Sequence, residues 1–396
     1  MHGPLSYCAD VHPVDDLADL VARLDDFAAP VRRAVPLDRL GVGLRLPPSV
    51  AAMLAGDRSA RRRLRVELAA RGLEVVTLNA SPLGDVFGPS WCDPARLRYT
   101  VDCASVLADL LPDRAVYGTI STIALGPRNG WSPADDAAGR ALIDSLTETL
   151  KALDSVHGRP VTLAVEPQPG CVLETVAEAV GWLAGRVDPR YVGLCLDACH
   201  LAVSFADPGT TVSGVYRAGL AVLKLQASAA LQVERPQDPA IRAALVGRLG
   251  PVRERRLGGG TLGAADFTAA LVDLPGQQPW RLDVHLPLHV KPAAPFRATR
   301  KVLRATVAAV IAEAGVAEFP LVEVETFPSP LASAPNGFAA DLAADLAWVA
   351  SVLDDAGLES AGEIDLDELA DGDAPGLGAR SLAGPMTRVG GAWVGR

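Results

Sequence analysis

Short apolar runs alternate with stretches of helical periodicity along most of the chain. The first run is Leu5 to Ala9, and Leu17, Leu20, Val21, Leu24 and Ala28 follow at helical spacing. Val42 to Leu46 is the second run. The arginine-rich stretch after it carries Leu64 and Leu68 on one face and stops at Gly72, a natural C-terminal signal. Val75 to Asn79 is the third run, and Asp93-Pro94 then predicts an N-cap followed by proline at the first helical position, opening a helix toward Leu111. Val116 to Ser121 is the fourth, with Leu142, Ile143, Leu146, Leu150 and Leu153 marking the next helix. Val161 to Glu166 is the fifth, and Thr175-Val-Ala-Glu178 has the spacing of a capping box. Val192 to Asp197 is the sixth, Ala221 to Gln226 the seventh and Pro320 to Glu325 the eighth.

Eight such runs with helices between them predict an α/β fold in which a parallel sheet closes into a (β/α)8 barrel. The barrel domain is expected over residues 1–353. Residues 227–319 are too long for one barrel helix, so they predict an insertion between the seventh and eighth strands that folds over the barrel mouth. Beyond about residue 354 acidic residues give way to a glycine-rich end with little periodicity, which predicts a flexible acidic tail over 354–396, or a short helix followed by one.

In a barrel of this kind the C-terminal strand ends converge on one site. The fifth strand ends in Glu166, before the rigid Pro167-Gln-Pro-Gly170. The sixth ends in Asp197 with His200 three residues on, and the eighth ends in Glu325-Thr326. Carboxylates and an imidazole gathered from separate strands are costly to bury unless a cation neutralises them, which makes Glu166, Asp197, His200 and Glu325 candidate ligands of a divalent metal. A competing reading of Asp197 is a helix N-cap with His200 on the surface. Glu323 lies on the same strand face as Glu325, and Glu325 is preferred as ligand because it is nearer the end. Asp283-Val-His285, with His289 four residues later, repeats the carboxylate–imidazole pairing inside the insertion and is read as a second metal or substrate arm. His12 and Asn79 are candidates for contacting substrate hydroxyls, or for capping the segments that follow them. Cys195 and Cys199 are read as packing residues.

The 396 residues carry a formal net charge of −10 and a sequence pI of about 5.2, which argues against a nucleic-acid substrate. The one dense basic run, Arg58 to Arg65, reads as a solvated helix face. The six cysteines form neither a disulfide framework nor a four-cysteine zinc site. Met1 to Tyr7 shows no secretory pattern and no stretch reaches the length of a membrane span, so the expected location is cytoplasmic.

Glu166-Pro167, Cys195-Leu-Asp-Ala-Cys-His200, Asp283-Val-His285 and Val324-Glu-Thr326 together resemble the xylose-isomerase-like TIM barrels, a superfamily of sugar and sugar-phosphate isomerases and epimerases that also holds the endonuclease IV group. To about residue 353 the chain looks most like the EboE family of proposed metabolite-traffic proteins. The residues behind that closer match are Ser6-Tyr-Cys8, His12-Pro13, Gly43-Leu-Arg-Leu46, Thr119-Ile-Ser-Thr122, Glu166-Pro-Gln-Pro-Gly-Cys171, Leu196 to His200, Lys224-Leu-Gln226 and His285-Leu-Pro287. The resemblance implies a divalent cation (Zn, Mn, Mg or Fe) held by Glu166, Asp197, His200 and Glu325. It also implies proton exchange by Glu166 and Glu325 at a carbon next to a carbonyl, a small polyhydroxylated substrate and pathway partner proteins. The chain departs from the superfamily on the seventh strand, where Lys224 and Gln226 stand in place of a metal-binding histidine. Metal could there be supplemented by His285 (with Asp283 beside it), ligated weakly by the Gln226 amide, or replaced electrostatically by Lys224, which then joins Glu166 and Glu325 in the catalytic set. A non-catalytic metabolite-binding or transfer protein is the alternative on the same scaffold, and an endonuclease-like phosphodiesterase a more distant one.

Overall fold

The computed structural model describes residues 5–9, 16–81, 88–245, 250–327 and 337–358, and two short strands, Met386–Val389 and Ala392–Gly395, that pair antiparallel. His12 and most of the stretch expected as a tail lie outside the described residues, while residues 354–358 complete the last helix and its turn. The first seven barrel strands follow the chain. They are β1 (Ser6–Cys8), β2 (Leu40–Leu44), β3 (Leu73–Asn79), β4 (Gly118–Ile123), β5 (Val161–Glu166), β6 (Val192–Asp197) and β7 (Val222–Ala227). The chain then leaves the barrel for a five-stranded sheet of β8 (Leu231–Val233), β9 (Val252–Arg255), β10 (Thr261–Ala264), β11 (Trp280–Leu282) and β12 (Arg297–Ala298). It returns in β13 (Leu321–Val324), which pairs in parallel with both β7 and β1 and closes the barrel. The closed eight-stranded parallel barrel with flanking helices is the architecture the apolar runs predict.

Local chemistry accounts for the helix boundaries. Asp93 caps the helix Pro94–Leu110 by accepting from the amide of Ala95, and Thr175 and Glu178 form the expected reciprocal capping box. In the arginine-rich helix Arg58–Ala70, Ala60, Leu64 and Leu68 are buried, as the periodicity requires.

The insertion has its own apolar core, in which Leu231, Val233, Phe267, Trp280 and Leu282 pack together. Buried Glu254 pins its turn by accepting from the amides of Gly276, Gln277 and Gln278 and from the Trp280 indole. Not all of 227–319 belongs to it. The helix Arg300–Ala314 packs beside the helix Pro208–Arg217 in the outer ring, so the added unit ends near residue 299. The insertion contacts the loops after β5 and β6. Arg253 pairs with Glu174, while Arg281 donates to the carbonyl of Ala202 at 2.7 Å and lies 4.3 Å from the ring centroid of Phe205. Directly after β11 the chain runs between two barrel segments, with Leu286 N–H bonded to Ala229 and the His285 carbonyl accepting from Phe327. Asp283 and His285 are thereby carried to the strand ends.

Candidate metal centre

Two layers of polar side chains fill the barrel. The lower layer is closed on itself. Lys224 and Glu323 are wholly buried and paired at 2.7 Å. Lys224 Nζ also donates to Asn79 Oδ1 at 2.8 Å and Ser121 Oγ at 3.1 Å, so its three donors have three acceptors. Asn79 Nδ2 lies 3.4 Å from both Glu323 oxygens. Burial works against the Lys224 cation, but the Glu323 carboxylate outweighs it and lifts the pKa above that of an ordinary lysine. Gly43 on β2 makes room for this pair, because a Cβ there would run into the Glu323 carboxyl group. Asn79, expected to contact substrate hydroxyls, and Lys224, expected to replace metal charge and join the catalytic set, are directed at Glu323 and at each other.

The upper layer is not closed. Asp197 ends β6 and its Oδ1 accepts from the amide of His200 at 2.8 Å, capping the short helix Ala198–Val203, and from Ser228 Oγ at 2.9 Å. Its Oδ2 has no hydrogen-bond partner. The capping and ligand readings of this aspartate therefore fall on different oxygens of one side chain. His200 is buried, not on the surface. Its Nδ1 lies 3.5 Å from Glu166 Oε1 and its Nε2 3.5 Å from Asp283 Oδ1, and neither nitrogen makes a hydrogen bond. His285 Nδ1 is 3.2 Å from the carbonyl oxygen of Glu325. A carbonyl only accepts, so Nδ1 carries a proton and Nε2 is the nitrogen turned toward the carboxylates. That nitrogen has no partner either, and it lies 3.9 Å from Asp197 Oδ2 and 3.6 Å from Asp283 Oδ1.

Glu325 follows β13, and its Oε2 is also buried without a partner. Burial, reinforced by Glu166 and Asp197 and opposed by His285, pushes its carboxyl up to about 8. Burial raises Glu166 as well, against the pull of His200. Around His285, burial disfavours the cation, but Asp197 and Cys199 raise its pKa well above that of ordinary imidazole. Five buried polar atoms on four side chains, all facing one another's charges, lack the hydrogen bonds such atoms normally find. Oxygen and nitrogen donors so arranged fit a divalent cation. Three overlapping groups have ligand atoms within 4.8 Å of one another, namely Glu166–Asp197–His200, His200–Asp283–His285 and Asp197–Cys199–His285.

The remaining candidates go elsewhere or do less. Gln226, level with Asp197 in the sheet register, has its Oε1 3.4 Å from Cys195 Sγ and brings a neutral amide. His289 Nδ1 is bound by Asp345 Oδ1 at 2.6 Å, and Asp345 also takes the amides of Leu288 and His289 and the hydroxyl of Thr326. His289 therefore fastens the end of the insertion arm to the helix Phe338–Asp355. Ser228 and Phe327 have no place in the sequence reading, and Cys199 is read there as a packing residue. Ser228 orients Asp197, Cys199 joins a ligand group, and Phe327 lies 5.5 Å from the His285 ring. Only Ser228 had a sequence signal, as the next same-face position after Lys224 and Gln226.

No protein-family model matches the chain, and no curated protein matches it in sequence. Solved structures do match in fold. A candidate sugar phosphate isomerase/epimerase from Anabaena variabilis superposes with a TM-score of 0.52 at 13% identity, over 90% of this chain and 100% of that one. A xylose isomerase-like TIM barrel protein from Mycobacterium smegmatis, in complex with magnesium, gives 0.50 at 13% identity over 89% and 97%. A D-tagatose 3-epimerase-like protein gives 0.50 at 10% identity over 89% and 98%. At such identities the likeness is one of architecture: the chain's barrel is similar in fold to those of the xylose isomerase-like and sugar phosphate isomerase/epimerase structures.

Proposed function

We propose that the protein is a metal-dependent isomerase or epimerase of a small polyhydroxylated compound, free or phosphorylated. The observation that carries this reading is the set of unpartnered buried atoms on Asp197, His200, His285 and Glu325. Leaving such groups dry costs about 1–3 kcal/mol each, and a cation removes that cost. Glu166, Asp197, His200, Asp283 and His285 would hold the ion, with Glu325 at its edge. A divalent ion here supplies positive charge that polarises a substrate carbonyl and makes the adjacent C–H more acidic.

The chain's own residues do the rest. Glu166 and Glu325 are the two carboxyl groups at the open end, and burial holds both above the usual carboxylate range. Glu325, pushed up to about 8, can keep or release a proton near neutral pH, and Glu166 is the second carboxyl group that removing a proton from carbon and returning it requires. Ser228 and the Glu325 carbonyl fix Asp197 and His285 in orientation. The insertion brings Asp283 and His285 over the strand ends and shields them from water, so charge is felt strongly there. The motifs shared with EboE proteins add a place in metabolite traffic within a secondary-metabolite pathway, with partner proteins of that pathway.

One observation favours a second reading, a metabolite-binding protein without turnover. On β7 the position level with Asp197 is Gln226, where the superfamily pattern has an imidazole. Metal analysis of the purified protein, followed by deuterium wash-in from heavy water into candidate ketoses and aldoses, tests both. Isomerase chemistry predicts bound metal and label at the carbon next to the carbonyl, reduced about 10²- to 10⁴-fold in Glu166→Gln and Glu325→Gln. Metal without label supports the binding protein. Absence of metal binding at micromolar concentration removes the isomerase reading and favours the binding protein.

A further inference from the structure

We propose that Cys199 is a metal ligand and that, with Asp197 and His285, it forms a subsite selective for a thiophilic divalent cation such as zinc. The inference rests on the metal-centre reading above and names the kind of ion that centre prefers.

Cys199 is wholly buried in the first turn of the helix Ala198–Val203, between the ligands Asp197 and His200. Its amide donates to Ser228 Oγ at 2.8 Å, and the same hydroxyl holds Asp197 Oδ1 at 2.9 Å. One serine thereby fixes the backbone of the cysteine and the side chain of the aspartate. The thiol lies 3.4 Å from Asp283 Oδ1, inside the cluster. Two atoms aimed at the same point are buried without partners. They are Asp197 Oδ2 and Nε2 of His285, 3.9 Å apart, and Cys199 Sγ completes a group within 4.8 Å.

A packing cysteine needs apolar neighbours. Cys199 does have Ala202, Val203 and Ala230 behind it, but its sulfur faces carboxylates and an imidazole. Adding a thiolate to an oxygen and nitrogen donor set moves its preference away from magnesium and manganese and toward zinc. Metal entry breaks the S–H bond, releases that proton to solvent and forms the sulfur–metal bond, with no change of oxidation state. Glu166, Asp197 and His200 make an adjoining group of harder donors. The centre thus has a hard side toward the open strand end and a soft side under the insertion.

The test is cobalt substitution of the full-length protein, stripped with chelator and reloaded without oxygen. A thiolate-to-cobalt charge-transfer band in the near ultraviolet is expected in the wild type and absent in Cys199→Ser and Cys199→Ala, with cobalt still bound. Zinc affinity should fall in those variants by more than the roughly 10- to 100-fold that loss of an outer partner costs, while magnesium affinity changes little. Stoichiometric cobalt without the band in the wild type, or a band that persists in the variants, overturns the role of Cys199 and leaves the metal centre standing. A wild type that binds no cobalt, zinc or magnesium overturns both. If the variants fail to fold, the wild-type spectrum still decides.

Discussion

Glu323→Gln tests whether the two carboxylates of the last barrel strand have separate duties. Glu323 and Lys224 are both fully buried and 2.7 Å apart. At an effective dielectric of about 20 their attraction at that distance is roughly 6 kcal/mol, part of which offsets the cost of taking both charges out of water. The variant keeps the volume and the neighbours and removes the charge. Lys224 is then left with the neutral oxygens of Asn79 and Ser121, and burial, which already opposes its charge, is no longer outweighed. Removing one partner of such a pair costs about 3–5 kcal/mol. Urea denaturation of metal-free protein should show a loss of that size. The double variant Lys224→Met/Glu323→Gln should recover part of it, since no buried charge remains. Zinc affinity should be unchanged in Glu323→Gln and reduced in Glu325→Gln. A Glu323→Gln protein within about 0.5 kcal/mol of the wild type would show that the pair does not hold the lower layer. Loss of metal equal to that of Glu325→Gln would show that the two layers are not separate.

Divalent metal at about 100 times its Kd should stabilise the protein by about 2.7 kcal/mol, reversibly with chelator, and a melting temperature indifferent to metal would contradict the centre. In metal-free protein Glu325 binds its proton more tightly folded than unfolded, so its contribution is complete below about 4.5 and declines as pH rises toward about 8. Stability followed by urea titration across that window should therefore fall with rising pH, and less steeply in Glu325→Gln. Gly43→Ala should unfold more readily than the wild type, because the new methyl group meets the Glu323 carboxyl group. A thermal midpoint equal to the wild type's would mean the pair can shift aside.

What the sequence made legible follows a physical divide between local and distant partners. A buried parallel strand is announced by its own residues, and β5 and β6 end at Glu166 and Asp197 as their apolar runs indicate. Capping at Asp93 and Thr175 is likewise a matter of adjacent residues. The sheet of the insertion was not legible. Its strands are two to four residues long, and their pairing is set by contacts such as Trp280 with Val233, which no spacing encodes. Lys224 shows the same limit at the site. Alternation places it inside the barrel, but whether it serves a substrate depends on a counter-charge at Glu323, on a strand formed after the whole insertion.

The same divide explains why, on the proposed reading, the insertion would complete the centre. Glu166, Asp197 and His200 come from neighbouring strand ends, and their carboxylates already crowd one imidazole. Strand β7, which should offer the next imidazole, has Lys224 committed downward and Gln226 facing Cys195. On the proposed reading the missing nitrogen would come from His285 after β11, where Leu286 and Phe327 stitch the arm to two barrel segments and Asp345 fastens its end through His289. A ligand brought in on an arm held by hydrogen bonds is displaced more easily than one on a barrel strand. Metal affinity should therefore depend on contacts outside the ligand set, the Asp345 latch first among them. A metal held this way would tie the position of the insertion arm to the presence of the ion, because His285 belongs to both.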